Sequence, residues 1–290
     1  MARYAEQQSR IDQRRKEIAA RYPRMFSDMI AEWKSPGSDD RAWLLYSANY
    51  LFRTGGVRWA MDPLTMCWRV PGTPAVDLSH AFDQLDFVLL THSHADHLDF
   101  DLLRAIRHLP IRWVIPDYIL PQVLLKAALQ VDRIIIPHPH IPMDINGINI
   151  LPFAGQHWEA SRTGSGYQHG VPATGYLVEF NRKRWLFPGD TRDYLHGFLH
   201  SVGPVDGLIA HLWLGRSCAL MDEPPLLDEF CRFCFELQPK RVVLAHLEEF
   251  GRGADDYWED RHVRQVISRW EQVAPQISIS AARMGGSVIL

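Results

Sequence analysis

The run Thr91-His92-Ser93-His94-Ala95-Asp96-His97-Leu98-Asp99 follows directly on the apolar segment Phe87-Val88-Leu89-Leu90. A buried strand that ends in three imidazoles and a carboxylate makes a poor core and a good metal site, because neutral imidazoles and carboxylates suit zinc, iron and manganese. His92 and His94, two apart in extended chain, point to one side. Asp96 and His97, where the chain bends toward a helix, can face a second ion. The bland alternative is a polar loop of satisfied histidines. It suits a lone buried histidine better than a His-x-His-x-Asp-His run.

Composition narrows the class without choosing a function. The 290 residues are 47% hydrophobic and 22% charged, ordinary for a soluble globular chain long enough for a sizeable core. A net charge of −3 provides no overall basic field, so a small-molecule substrate is expected and nucleic acid is disfavoured. The stretch 1–24 is polar and arginine-rich, with no apolar segment of the kind a secretory signal needs. No run reaches the roughly 18 apolar residues of a membrane span, and a cytoplasmic location is therefore expected. Cys67, Cys218, Cys231 and Cys234 are too few for a disulfide framework; Cys231 and Cys234 fall on one helical face and read as core thiols, not as a redox pair.

Along the chain, residues 2–34 have a helical period and read as one helix or as two divided at Pro23. The basic cluster Arg10, Arg14, Arg15, Lys16, Arg21 and Arg24 reads as a solvated helix face. A linker at 35–40 separates this N-terminal helical extension, residues 1–40, from a main domain, 41–290. Strands are expected at 43–53, 57–61, 86–91, 112–115, 133–136, 147–151, 174–180, 184–187, 207–210, 241–245, 277–280 and 287–290. Helices are expected at 99–108, 119–129, 191–199, 226–237 and 257–273. Many strands interspersed with amphipathic helices indicate layered α/β packing, either two face-to-face sheets or one doubly wound sheet. His138 and His140, alternating with prolines, read as an extended surface loop.

The His-x-His-x-Asp-His run resembles the signature of the metallo-β-lactamase superfamily. The resemblance implies a four-layer αβ/βα sandwich with metals at one edge between the sheets. It also asks for three further ligands, one of them an aspartate bridging both ions. His157, closing Leu151-Pro152-Phe153-Ala154-Gly155-Gln156, is the candidate third ligand beside His92 and His94. Asp190, after the hydrophobic strand and Gly189, is the candidate bridge. His246, at the end of Arg241-Val242-Val243-Leu244-Ala245, would complete a second position with Asp96 and His97. His211 also follows a strand and competes with His246. The longer interval from Asp190 favours His246, leaving His211 to line the pocket. Asp62, in an early Asp-Pro, matches a supporting carboxylate behind the ligands.

The His97-Leu98-Asp99 form, Gln156-His157-Trp158 with Ser161-Arg162, and Thr174-Gly175-Tyr176 resemble the branch containing L-ascorbate-6-phosphate lactonase and N-acyl-phosphatidylethanolamine phospholipase D. Arg162 is a candidate pocket residue; Trp158 and Trp213 are candidates for an apolar pocket wall, with core packing the favoured role for each. The implied chemistry is hydrolysis of a phosphodiester, phosphorylated lactone or related ester by a hydroxide bridging two divalent ions. Zinc is expected first, with manganese or iron as alternatives, Asp190 bridging, and Asp96 or a water as proton donor. Two rivals stand beside it: an iron-dependent oxygenase on the same scaffold, and a non-catalytic metal-stabilised interaction module. His94 argues against the flavodiiron type, which has glutamate there. A homo-oligomer stays open.

Overall fold

The computed structural model describes residues 1–157, 171–191, 199 and 202–290. Strands β1 (Arg41–Leu44), β2 (Tyr50–Thr54), β3 (Val57–Met61), β4 (Phe87–Leu89), β5 (Arg112–Val114) and β6 (Ile134–Ile135) come first. They are followed by β7 (Met143–Ile145), β8 (Ile148–His157), β9 (Val171–Phe180), β10 (Lys183–Phe187), β11 (Gly207–His211), β12 (Arg241–Ala245), β13 (Ser278–Ala281) and β14 (Ser287–Ile289). Two seven-stranded sheets result, ordered β14-β1-β2-β3-β4-β5-β6 and β13-β12-β11-β10-β9-β8-β7. Each starts as an antiparallel meander and continues as parallel strands, from β3 in one sheet and from β10 in the other.

Strand side chains alternate in direction, and here both directions are apolar. Tyr50, Phe52, Trp59, Met61, Phe87 and Leu89 of the first sheet meet Tyr176, Val178, Trp185, Phe187, Ile209 and Val243 of the second in a core between the sheets. The alternate residues Leu51, Ala60, Val88 and Trp113 face outward, into a core shared with the N-terminal helix Ala2–Lys34 and the helices Phe100–Ile106 and Leu120–Ala127. Leu177, Leu186, Leu208, Val242 and Leu244 do the same for the second sheet, under the helices Leu227–Glu236 and Asp260–Val273. This is the expected mixed α/β sandwich, and near-continuous apolar strands are its signature because both sheets are covered on both faces.

Several local expectations need correction. The segment 43–53 is two strands, because Leu45–Asn49 turns sharply and buries Ser47 and Asn49 as hydrogen-bonding groups. The N-terminal helix does not divide: Pro23 lies inside one helix, Ala2–Lys34. Tyr22 and Phe26 on either side are buried, and their burial, about 1.5–3 kcal/mol each, offsets the roughly 3 kcal/mol that an interior proline costs. Its arginines are not simply solvated. Arg14 pairs with Glu248, Arg10 with Glu259, and Arg15 donates to the Phe250 carbonyl. The strand at 147–151 extends to His157, and β7 precedes it. The expected helix at 191–199 falls almost wholly outside the described residues.

Parallel strands align their carboxyl ends at one edge. The residues just past β3, β4, β10 and β12 (Asp62, His92–His97, Asp190 and His246), with His211 closing β11, therefore arrive together, as ligand-binding residues do in α/β sheets. Among the described residues no helix is long and apolar enough to cross a membrane.

Candidate metal centre

Each of these side chains is delivered by a local backbone device. Gly189 takes φ +60°, which lets the chain reverse immediately after β10 and present Asp190. His246 and Asp62 adopt left-handed conformations, φ 65° and 45°, uncommon for non-glycine residues and a recurrent mark of functional sites. The His246 N–H is held by the Ser47 carbonyl at 2.9 Å, and the Asp62 N–H by the Leu89 carbonyl at 2.9 Å. The Thr174-Gly175-Tyr176 segment braces the strand that carries the histidines: the Thr174 N–H reaches the Thr91 carbonyl at 3.0 Å and the Tyr176 hydroxyl the Leu90 carbonyl at 2.7 Å. Gly175 is required here, since a Cβ would lie 2.2 Å from the Phe153 ring.

The side chains form linked clusters whose potential ligand atoms lie within 4.8 Å of one another. One is His92, His94 and His157; a second is Asp96, His97 and His246. Asp190 lies between them. Its Oδ2 is 3.4 Å from His157 Nε2 on one side, and 3.4 and 3.5 Å from His97 Nε2 and His246 Nε2 on the other. Its Oδ1 is 2.6 Å from His211 Nδ1, and His211 Nε2 is 2.9 Å from the Tyr50 hydroxyl. Both nitrogens of His211 are thus occupied behind Asp190.

Hydrogen bonding sets the tautomers. His97 Nδ1 donates to Asp62 Oδ2 at 2.7 Å. The Thr91 hydroxyl gives its proton to the same carboxylate and accepts from His92 Nδ1 at 2.9 Å. Asp62 also accepts from the Thr91 N–H at 2.8 Å. The Nε2 atoms of His92 and His97 are left aimed inward. With His246 Nε2 they are buried and have no hydrogen-bond partner among the described residues. Buried polar atoms are rarely left so. Imidazole nitrogens converging on shared carboxylates fit divalent cations, so the donor set suits metal binding.

The electrostatics divide the imidazoles of an anionic centre: burial opposes protonation of His97, yet Asp190, followed by Asp62 and Asp96, holds it well above its ordinary value, as befits a cation position among carboxylates. Burial pushes His211 down to about 4 against the opposing pull of Asp190, which keeps it neutral. Burial also lowers His92 and His94. Tyr50, buried beside Asp190 and Asp62, is held well above its ordinary value and stays a hydrogen-bond donor. Burial opposes ionisation of Asp96, yet Arg252, followed by His246 and His97, holds it well below the usual carboxylate range.

A model of the beta-lactamase superfamily domain matches residues 61–247, the span from β3 to just past β12. The chain belongs to the beta-lactamase superfamily. A protein from Cupriavidus metallidurans named a metal-dependent hydrolase is 30% identical over 171 residues, 54% of this chain and 57% of its own length. The matched region thus spans little more than half of that relative. Among solved structures, Igni18, a metallo hydrolase from Ignicoccus hospitalis, superposes with a TM-score of 0.62 at 18% identity, over 87% of this chain and 99% of that one. CmlA, a diiron β-hydroxylase from Streptomyces venezuelae, does so with a TM-score of 0.62 at 16% identity, over 89% of this chain and 55% of that one. At such identities the structural likeness concerns the fold.

Of the residues singled out in the sequence, His92, His94, Asp96, His97, His157, Asp190, His246, Asp62 and His211 converge on this centre. Trp158 and Arg162 lie outside the described residues. Trp213 is buried in the core under the helices of the second sheet. Four residues were not anticipated. Tyr50 supports His211, and Asn49 donates to the carbonyls of Asp62 and Asp96 at 2.8 and 2.9 Å. Arg252 binds Asp96 at 2.9 Å, and Tyr118 donates to the Thr91 carbonyl at 2.6 Å. Asn49 and Tyr50 sit in a stretch that reads as strand; their polarity within an apolar run was the available signal.

Proposed function

We propose that this chain is a hydrolase that uses two divalent metal ions, zinc or manganese, on a phosphodiester, phosphorylated lactone or related ester. The observation that carries the proposal is the position of Asp190 Oδ2, within 3.5 Å of imidazole nitrogens from both clusters. His92, His94 and His157 would hold one ion, Asp96, His97 and His246 the other, and Asp190 would join them. When bound, such ions supply Lewis acidity and bring the pKa of coordinated water near neutrality. The protein's own part is positioning. Asp62 and Thr91 fix the tautomers of His97 and His92, and His211 fixes Asp190 with one oxygen turned to the ions. Asp96, paired with Arg252, is kept ionised and suited to be a ligand more than a proton donor. The half-buried His94 marks the side from which substrate would enter. The ester class follows the resemblance of the chain's motifs to the lactonase and phospholipase branch.

A redox role with iron is the second reading, favoured by the likeness to a diiron hydroxylase. The histidine-rich first cluster weighs against it, since the flavodiiron type has glutamate at the position of His94. Metal analysis of protein purified without chelators tests both, together with hydrolysis of bis-p-nitrophenyl phosphate and lactones by wild type and His94→Ala. About two equivalents of zinc or manganese, with hydrolysis lost in the variant, is the expected result. Bound iron, no hydrolysis of either probe and oxygen consumption would favour the second reading.

A further inference from the structure

Behind Asp96 lies a partly buried ionic cluster that the proposed chemistry uses only to keep Asp96 ionised. Arg252 Nη2 donates to Asp96 Oδ2 at 2.9 Å and Nη1 to Asp256 Oδ2 at 2.8 Å, while Nε lies 3.6 Å from Glu249 Oε2. Glu249 is in turn held by Arg69 through both oxygens, at 3.1 and 2.9 Å, and by the Tyr46 hydroxyl at 2.9 Å. Three carboxylates surround the guanidinium, so little of it is left for a substrate anion.

The oxygen that Arg252 occupies is the one facing the second cluster: Asp96 Oδ2 is 3.4 Å from His246 Nε2. A single carboxylate oxygen therefore serves a guanidinium and would also serve a metal ion. The first cluster consists of imidazoles, and Asp190 lies between it and the second. The guanidinium is also held in place. The segment bearing it is anchored to the N-terminal helix, where Arg15 binds the Phe250 carbonyl, Gln8 accepts the Ala254 N–H at 3.1 Å, and Arg14 pairs with Glu248.

We infer that Arg252 is a positioning residue that makes the two metal positions unequal, competing with the ion for Asp96 so that the His92, His94 and His157 position fills first. The inference rests on the two-ion reading. Loss of the guanidinium would not release the Asp96 loop, because Asn49 holds the Asp96 carbonyl independently at 2.9 Å. Its principal effect would be to remove a partly buried positive charge beside a cation site, where Coulomb interactions are screened less than at the open surface.

The test is to strip the full-length protein of metal and titrate it with Zn²⁺ against a chromogenic chelator. Wild type should bind two ions in resolved steps, the second at least about tenfold weaker. Arg252→Gln retains a hydrogen-bond donor for Asp96 without the charge. It should tighten the second step about tenfold and leave the first within about twofold. Arg252→Lys retains the charge, balances the neighbouring carboxylates and is the safer variant to fold; its second step should stay within about threefold of wild type. A second ion that binds more weakly to Arg252→Gln, or is lost from Arg252→Lys, would mean that Arg252 holds Asp96 in place for the metal, and would overturn the inference. Two ions in wild type with an unchanged Arg252→Gln would overturn it while leaving the two-ion reading intact. Fewer than two ions in wild type would overturn both.

Discussion

Asp190 divides its two oxygens between two tasks: Oδ1 rests on His211, while Oδ2 faces His97, His157 and His246. His211 can do this only as the tautomer with its proton on Nδ1, and the Tyr50 hydroxyl, donating to Nε2 at 2.9 Å, enforces that state. Tyr50→Phe should therefore leave the fold intact and lower zinc affinity by about tenfold to a hundredfold, measured by chelator competition, as loss of partners behind metal ligands does elsewhere. An affinity equal to wild type would reduce the Tyr50 contact to packing. This pair also illustrates what the sequence made legible. His-x-His-x-Asp-His is a local pattern, and Asp190 and His246 each follow a recognisable strand, so the set could be listed from the chain alone. Arg252 could not, because it sits among glycines 156 positions from Asp96 and only the tertiary fold brings the charges together. The role of His211 had the same origin: spacing could rank it below His246 but could not place it behind Asp190.

At the scale of elements, burial overrides local preference in the N-terminal helix. An interior proline disfavours a continuous helix, and sequence reasoning leaves one helix or two open there. The buried Ile11, Ala19, Tyr22, Phe26, Met29, Ile30 and Trp33 hold it in one piece. The proline's cost remains, so Pro23→Ala should stabilise the protein by about 1–3 kcal/mol, read as a raised urea midpoint at unchanged m. The helix Asp260–Val273 has a second device. The Glu259 N–H donates to His262 Nδ1 at 3.0 Å, and His262 Nε2 donates to the Ala219 carbonyl at 2.8 Å. Burial pushes His262 down from 6.5 to about 4, so between those values the unfolded chain binds the additional proton. Stability from this group is complete above about pH 6.5 and declines as pH falls toward 4. Urea unfolding of wild type and His262→Gln at pH 7 and pH 4.5 should show the gap between them narrowing at the lower pH, by on the order of 2 kcal/mol. A gap that is constant with pH would remove His262 from the account of acid sensitivity.

For the whole molecule, the question is where the folding unit begins. Sequence reasoning sets a boundary near residue 40, because the helical period stops and a Ser-Pro-Gly linker follows. The superfamily match begins later still, at residue 61. The packing points the other way. The N-terminal helix covers the outer face of the first sheet, sharing one core with Leu51, Ala60, Val88 and Trp113, and Trp33 Nε1 donates to the Phe52 carbonyl at 2.9 Å. Each of its large buried side chains contributes roughly 1.5–3 kcal/mol, so together they rival the whole net stability of a typical domain, about 5–15 kcal/mol. Its arginines also hold the 248–259 segment that brings Arg252 to Asp96. A chain starting at residue 41 should therefore aggregate or bind a hydrophobic dye strongly, and it should do so with or without metal. Adding the 1–40 peptide in trans should restore solubility, since the helix and its receiving face are complementary. If the shortened chain instead unfolds cooperatively at a midpoint close to wild type, the helix is a dispensable extension and the boundary near 40 is a true domain limit. The alternative is that the linker joins two parts of one folding unit, in which the element farthest in sequence from the metal centre helps to hold one of its carboxylates.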